Sequence, residues 1–137
     1  MAEPGIRVEL EQAAPIPLAA AFDVGPGELL ALVGPSGSGK STVLRSIAGL
    51  HAPGNGRVTV DGTPWLDRAR RIDLPTHRRR VGYVFQNYAL FPHLSALQNV
   101  TAAMGRDSPR GRGEAARALL RRVHLAGLEH RLPAQLS

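Results

Sequence analysis

The chain has 137 residues, 43% hydrophobic and 20% charged, with a formal net charge of +6 and no cysteine. That length suits one ordinary domain or most of one, and the composition excludes a disordered chain or a fibrous repeat. The cysteine count excludes disulfides, thiolate chemistry and cysteine-ligated zinc, while no apolar run reaches bilayer-spanning length and Met1 to Gly5 has no secretory pattern, so a cytoplasmic protein is expected.

Ile6, Val8 and Leu10 alternate with charged residues at the period of a half-buried strand, which Pro15 and Pro17 then end or edge. Leu18 to Val24 reads as a second strand, with Phe22 a core residue. Gly25-Pro26-Gly27 is a turn, and the apolar run Leu29 to Val33 has the length and composition of a strand buried on both faces. From Ser41 to Leu50 the apolar positions recur at helical spacing, and Pro53-Gly54 stops the pattern. Arg57 to Val60 followed by Asp61-Gly62 is a short strand entering a turn, and belongs with the early strands in an antiparallel layer. Asp67 to Arg80 is polar and arginine-rich, an exposed connection whose arginines mostly face solvent. Val81 to Phe85 is a further buried strand. Leu97 to Met104 and Glu114 to Leu125 have helical spacing, with Gly and Pro between them at Gly105 to Gly113.

Gly34-Pro35-Ser36-Gly37-Ser38-Gly39-Lys40-Ser41 fits a phosphate-binding pattern: glycine, four residues, glycine, lysine and a hydroxyl residue, after an expected strand and opening an expected helix. The glycines leave room for consecutive amide N–H groups to wrap a phosphate, and the helix start adds donors and a partial positive charge. Lys40 is the only lysine in the chain, and it stands where the motif requires lysine over arginine. Its ammonium is expected at the β- and γ-phosphates of ATP, and the Ser41 hydroxyl on Mg²⁺. An accidental glycine-rich surface turn would lack both flanking elements. The loop alone does not name a reaction, since kinases, GTPases and many ATPases share it.

Val84-Phe85-Gln86, Tyr88 to Leu94 and Asn99-Val100, together with Gly34 to Ser41 and Ala48-Gly49-Leu50, resemble the ATP-binding subunits of ABC transporters over essentially the whole chain. The resemblance implies an α/β fold: a P-loop NTPase core with an N-terminal antiparallel β layer and the beginning of an α-helical subdomain, the whole an incomplete domain. It divides the chain into 1–92, β layer and P-loop core, and 93–137, the start of the helical part. It implies nucleotide binding by Gly34, Pro35, Ser36, Gly37, Ser38, Gly39, Lys40, Ser41 and Thr42, with Gln86 in the Q-loop on Mg²⁺ and the attacking water. Leu136-Ser137 resembles the start of the LSGGQ signature, which puts Ser137 on the γ-phosphate of a partner subunit's ATP. The implied partners are membrane subunits and a second ATP-binding subunit, homodimer or pseudo-dimer, at the cytoplasmic face of the inner membrane.

Arg78 to Gln86 and Ala89 to Leu94 look most like importers for small solutes, the molybdate and sulfate branch above all, and Glu11 to Ala14 contains no aromatic to stack adenine. The Walker B aspartate, the general-base glutamate and the switch histidine have no counterpart in these residues. The whole protein is expected to be an ATPase, but these 137 residues alone are not expected to turn over ATP.

Three other readings compete. The net charge would suit a non-transport ABC ATPase on nucleic acid or ribosomes, but arginines dispersed from Arg7 to Arg131 indicate compositional bias, and no direct nucleic-acid partner is expected. A P-loop kinase or GTPase would need an acceptor-binding or guanine-reading motif, and none is visible. The third is a non-functional fragment. His51, His77, His93, His124 and His130 are scattered without metal-ligand spacing and read as surface or packing residues.

Overall fold

The structure is a computed structural model that describes residues 5–104 and 111–136. Ser137 and residues 105–110 of the expected Gly/Pro connection lie outside the described residues. The chain forms two compact units, Met1–Tyr83 and Val84–Ser137, a division that falls before the expected boundary at 92/93.

In the first unit five strands form one antiparallel sheet in the order β2-β1-β3-β4-β5: β1 (Ile6–Gln12), β2 (Leu18–Val24), β3 (Asn55–Val60), β4 (Thr63–Asp67) and β5 (Ile72–Asp73). β1 lies between β2 and β3, in a register that sets Val8 opposite Phe22 and Val58. Side chains alternate across a strand, so Val8 and Leu10 enter the core while Glu9 and Glu11 face solvent. Asp61 and Gly62 both take positive φ, 46° and 72°, which gives the two-residue turn between β3 and β4 the twist a hairpin needs. The strands expected at Ile6–Leu10, Leu18–Val24 and Arg57–Val60 are therefore present and antiparallel. Phe22 packs against the core, as expected.

Helix α1 (Lys40–Ala48) lies on this sheet. Val43 joins Val8, Leu10, Leu18, Val58, Trp65 and Leu66 in one core cluster, with Leu32 and Ile47 packed against it. The helix ends at Gly49, in the left-handed conformation at φ 78°, just short of the expected Leu50.

Three expectations are corrected. Leu29 to Val33 forms no strand: Leu29 is 94% and Val33 92% exposed, and only Leu32 of the run packs against the core. Val81 to Phe85 likewise forms none, and Val84 is 83% exposed. A strand buried on both faces needs a neighbour on each side, and among the described residues no strand pairs with either run. The third correction concerns Asp67 to Arg80. It is no open connection: it carries the end of β4, then β5 and a single 3₁₀ turn at Thr76–Arg78, and both Asp67 and Arg79 are buried. Backbone carbonyls and a neighbouring carboxylate receive the Arg79 guanidinium, which a reading by residue type had sent to solvent.

The second unit contains α2 (Ala96–Ala103) and α3 (Arg112–Arg122), packed on each other. Ser95 opens α2 with a capping box: its hydroxyl accepts from the Gln98 amide while the Gln98 side chain accepts from the Ser95 amide. Asn99 fastens the preceding loop. Its Nδ2 donates to the carbonyls of Phe91, Leu94 and Ser95, and its Oδ1 accepts from the Phe91 amide at 2.8 Å.

Candidate phosphate-binding site

The loop Gly34 to Gly39 leads into α1 and is gathered by Lys40. The Lys40 ammonium donates to the carbonyl oxygens of Gly34 at 2.8 Å and Pro35 at 2.7 Å and to the Ser38 hydroxyl at 3.3 Å. A turn at the Pro35 carbonyl, which accepts from the Ser38 amide at 3.3 Å, closes the loop further. The side chain that would meet a phosphate is thus already folded across the mouth of the loop.

Gly39 has to be glycine. Its φ is 89°, and a Cβ there would stand 2.9 Å from Leu18 Cδ1, so β2 sits directly beneath the first turn of the helix. α1 begins without a side-chain cap and with no acidic residue in its first turn. The positive end of its dipole and its first-turn amide donors are therefore not neutralised by the chain itself, which is the condition for binding an anion. Ser41 is exposed in that turn and Thr42 half-buried. The nine expected loop and helix residues, Gly34 to Thr42, are in this way one continuous feature of the first unit. Gln86 belongs to the second unit, exposed, in a turn where Tyr88 and Ala89 take positive φ of 61° and 49°.

Three carboxylates of the sheet meet arginines: Asp23 meets Arg7, Asp67 meets Arg57, and Asp73 meets Arg79. The backbone amide of Arg70 on the Asp67 carboxylate, helped by Arg57, holds its pKa below the usual carboxylate range. Arg7 does the same for Asp23 on the solvent face. Burial pulls the Arg79 guanidinium below its usual range, against the opposing attraction of Asp73. A groove of about 500 Å³ on the solvent face of the sheet is lined by Glu9, Glu11, Ala19, Ala21 and Arg57 and contains none of the loop residues.

Reading by sequence missed Arg79 and Thr76, which hold the far end of α1. Nothing in Arg78-Arg79-Arg80 separates the middle arginine from its neighbours. Gly49, one residue before the end of the helical pattern, was the available signal for where α1 stops, because a left-handed glycine is the common end of a helix.

A glycine-rich loop closed by the one lysine, opening an uncapped helix seated on an antiparallel β layer, defines part of a P-loop nucleoside-triphosphatase domain. The ABC transporter family pattern matches residues 19–137. The chain is 46% identical over 117 residues to the Fe(3+) ions import ATP-binding protein of Agrobacterium fabrum, a match spanning 83% of this chain and 31% of that protein. It is 43% identical over 113 residues to a molybdenum import ATP-binding protein of Azotobacter vinelandii, with 82% and 31% covered. Among solved structures, a dimeric ATP-binding cassette in a post-hydrolysis state with ADP and Pi superposes with a TM-score of 0.75 at 29% identity, over 96% of this chain and 63% of that one. The chain belongs to the ABC transporter family. It spans between about a third and a half of the length of the curated import proteins it matches.

Proposed function

We propose that the chain supplies the nucleotide-binding part of an ATP-driven importer, and that Gly34 to Thr42 grip the phosphates of Mg·ATP. The observation that carries this reading is the Lys40 ammonium, held by Gly34, Pro35 and Ser38 at the start of a helix without a capping or acidic side chain. A compact cation next to free amide donors suits a polyphosphate tail. Mg²⁺ fits the oxygen donors here: the exposed Ser41 hydroxyl stands in the first turn, and among the described residues no cluster of three His, Asp or Glu side chains offers a cage of its own. The ion would neutralise phosphate charge, while Lys40 and the amides hold the tail in place.

In the whole protein, Gln86 would add a ligand to Mg²⁺ and orient the attacking water, and Ser137 would touch the γ-phosphate of a partner subunit's ATP. The functional boundary at 92/93 keeps Gln86 with the phosphate-binding part. The dimeric cassette among the solved relatives supports pairing of two such subunits, and the importer names of the relatives support membrane subunits as partners, at the cytoplasmic face of the inner membrane. ATP hydrolysis by the complete protein follows from the same membership. For the solute, a small oxyanion such as molybdate is the finer reading. Its support is the 89–94 segment and the missing adenine aromatic, but an iron importer is as similar to the chain as a molybdenum one.

Titration calorimetry of the 137-residue chain with Mg·ATP tests the central claim. Uptake is expected, with a loss of about 100-fold or more on Lys40→Ala, since hydrogen bonds between charged partners contribute about 1.5–3 kcal/mol each. Equal uptake by wild type and variant would refute it.

A further inference from the structure

The end of α1 remote from the phosphate loop, where Ile47 packs against the core, receives hydrogen bonds from two side chains, Arg79 and Thr76. Arg79 is 5% exposed. Its Nη1 donates to the carbonyls of Ser46 and Ile47 at 2.7 and 2.8 Å, its Nε to Leu74 O at 2.7 Å, and its Nη2 to Trp65 O at 3.3 Å and Asp73 Oδ1 at 2.9 Å. Thr76 Oγ1 donates to the Gly49 carbonyl at 2.7 Å, so the segment around the 3₁₀ turn takes up three carbonyls at the close of the helix. Gly49 makes room for this. A Cβ there would stand 2.7 Å from Arg79 Nε, in a backbone conformation that already disfavours side chains.

The Ser46 carbonyl also accepts from the Gly49 amide at 3.2 Å, and Arg79 and Thr76 supply donors to the Ile47 and Gly49 carbonyls, beside the fully buried Ser46 and Ala48. A buried arginine also complements the negative end of the helix dipole. α1 has only nine residues, and a rod that short, with a rise of about 1.5 Å per residue, swings its far end by about 2 Å when tilted by about 10°. Val43 seats the phosphate end on the sheet; at the other end Ile47 packs against the core, and Arg79 and Thr76 bind the last carbonyls.

We propose that Arg79 is a positioning residue for the phosphate loop: by locking the last turn of α1 to β4 and β5, it fixes where the first-turn amides and Lys40 stand. The proposal rests on the phosphate-binding reading above. It assigns the Ala48-Gly49-Leu50 motif a part in nucleotide binding, as the socket for the guanidinium.

The test compares Arg79→Met, Arg79→Lys and Thr76→Val in the full chain with Leu120→Ala, a truncation of a buried residue of α3 in the second unit. Two quantities are measured at a temperature where circular dichroism shows each variant folded: Mg·ATP affinity by calorimetry, and amide hydrogen exchange over residues 37–43 without nucleotide. Arg79→Met is expected to weaken Mg·ATP about tenfold or more and to speed exchange over 37–43, as small displacements of positioned groups cost factors of 10 to 100. Arg79→Lys should recover part of this, because one ammonium cannot reach all the acceptors that the guanidinium spans. Leu120→Ala should lower the melting temperature and change neither quantity. The proposal is overturned if Arg79→Met and Leu120→Ala behave alike, or if faster exchange in Arg79→Met stops at residues 44–50. If Arg79→Met does not fold, Thr76→Val decides: faster exchange over 37–43 supports the lock, and wild-type exchange there refutes it. If the wild-type chain takes up no nucleotide, the phosphate-binding reading fails, and the exchange comparison still decides whether Arg79 holds the loop.

Discussion

Lys40 shows how far a single residue type can be read and where reading stops. Its place in the motif indicates a phosphate ligand, but only coordinates reveal that the ammonium is already bound by Gly34, Pro35 and Ser38. A side chain ordered in advance loses less freedom on binding. Asp67 makes the opposite case. By type it belongs on a polar surface stretch, yet it is 2% exposed and accepts from Arg70 N at 3.0 Å and Arg57 Nε at 3.1 Å. Because its folded pKa is lowered, chiefly by the Arg70 amide, it stabilises the fold fully above the unfolded carboxylate value near 3.8. That contribution disappears as pH falls through the folded value. Urea unfolding midpoints at pH 7, 5 and 3 are therefore expected to separate wild type from Asp67→Asn at pH 7, with the gap narrowing toward pH 3. A gap that stayed constant would mean that the carboxylate charge is not what Arg70 and Arg57 hold.

At the scale of elements, termini decide more than interiors. α1 ends at a left-handed Gly49 and a borrowed guanidinium, and α2 begins at the Ser95–Gln98 box. Asn99, one turn into α2, then reaches back to Phe91, Leu94 and Ser95 and so fixes the loop that displays Leu90 and Phe91 to solvent. Replacing Asn99 by Ala should cost about 1–2 kcal/mol in unfolding free energy, because a typical net hydrogen bond contributes about 0.5–1.5 kcal/mol and partly exposed groups recover water. Limited proteolysis should then cut first between Tyr88 and Ser95. Wild-type stability with unchanged cleavage would show that the loop is held by its apolar residues instead. The strands follow another rule. β1, β2 and β3 were visible because one face of each is wet and the side chains alternate; the runs at 29–33 and 81–85 have strand composition, but no strand among the described residues pairs with them.

At the scale of the whole chain, those two runs leave apolar side chains in water. Leu29, Val33 and Val84 are mostly exposed. Exposed apolar side chains favour association. Sedimentation of the purified chain over a range of micromolar concentrations is expected to show concentration-dependent self-association, reduced by Leu29→Lys with Val33→Lys. A monomer at all concentrations would mean that these side chains are covered in solution by other parts of the chain.

Local spacing was enough for the glycine-rich loop, three of the five antiparallel strands and the family: glycines and one lysine within eight positions, alternation of period two, and a run of motif residues in order. Folding settled which of three adjacent arginines is buried and whether an apolar run becomes a strand. Those outcomes depend on what lies opposite a residue after folding. A carbonyl left without water, or a missing neighbour strand, leaves no trace in the local pattern.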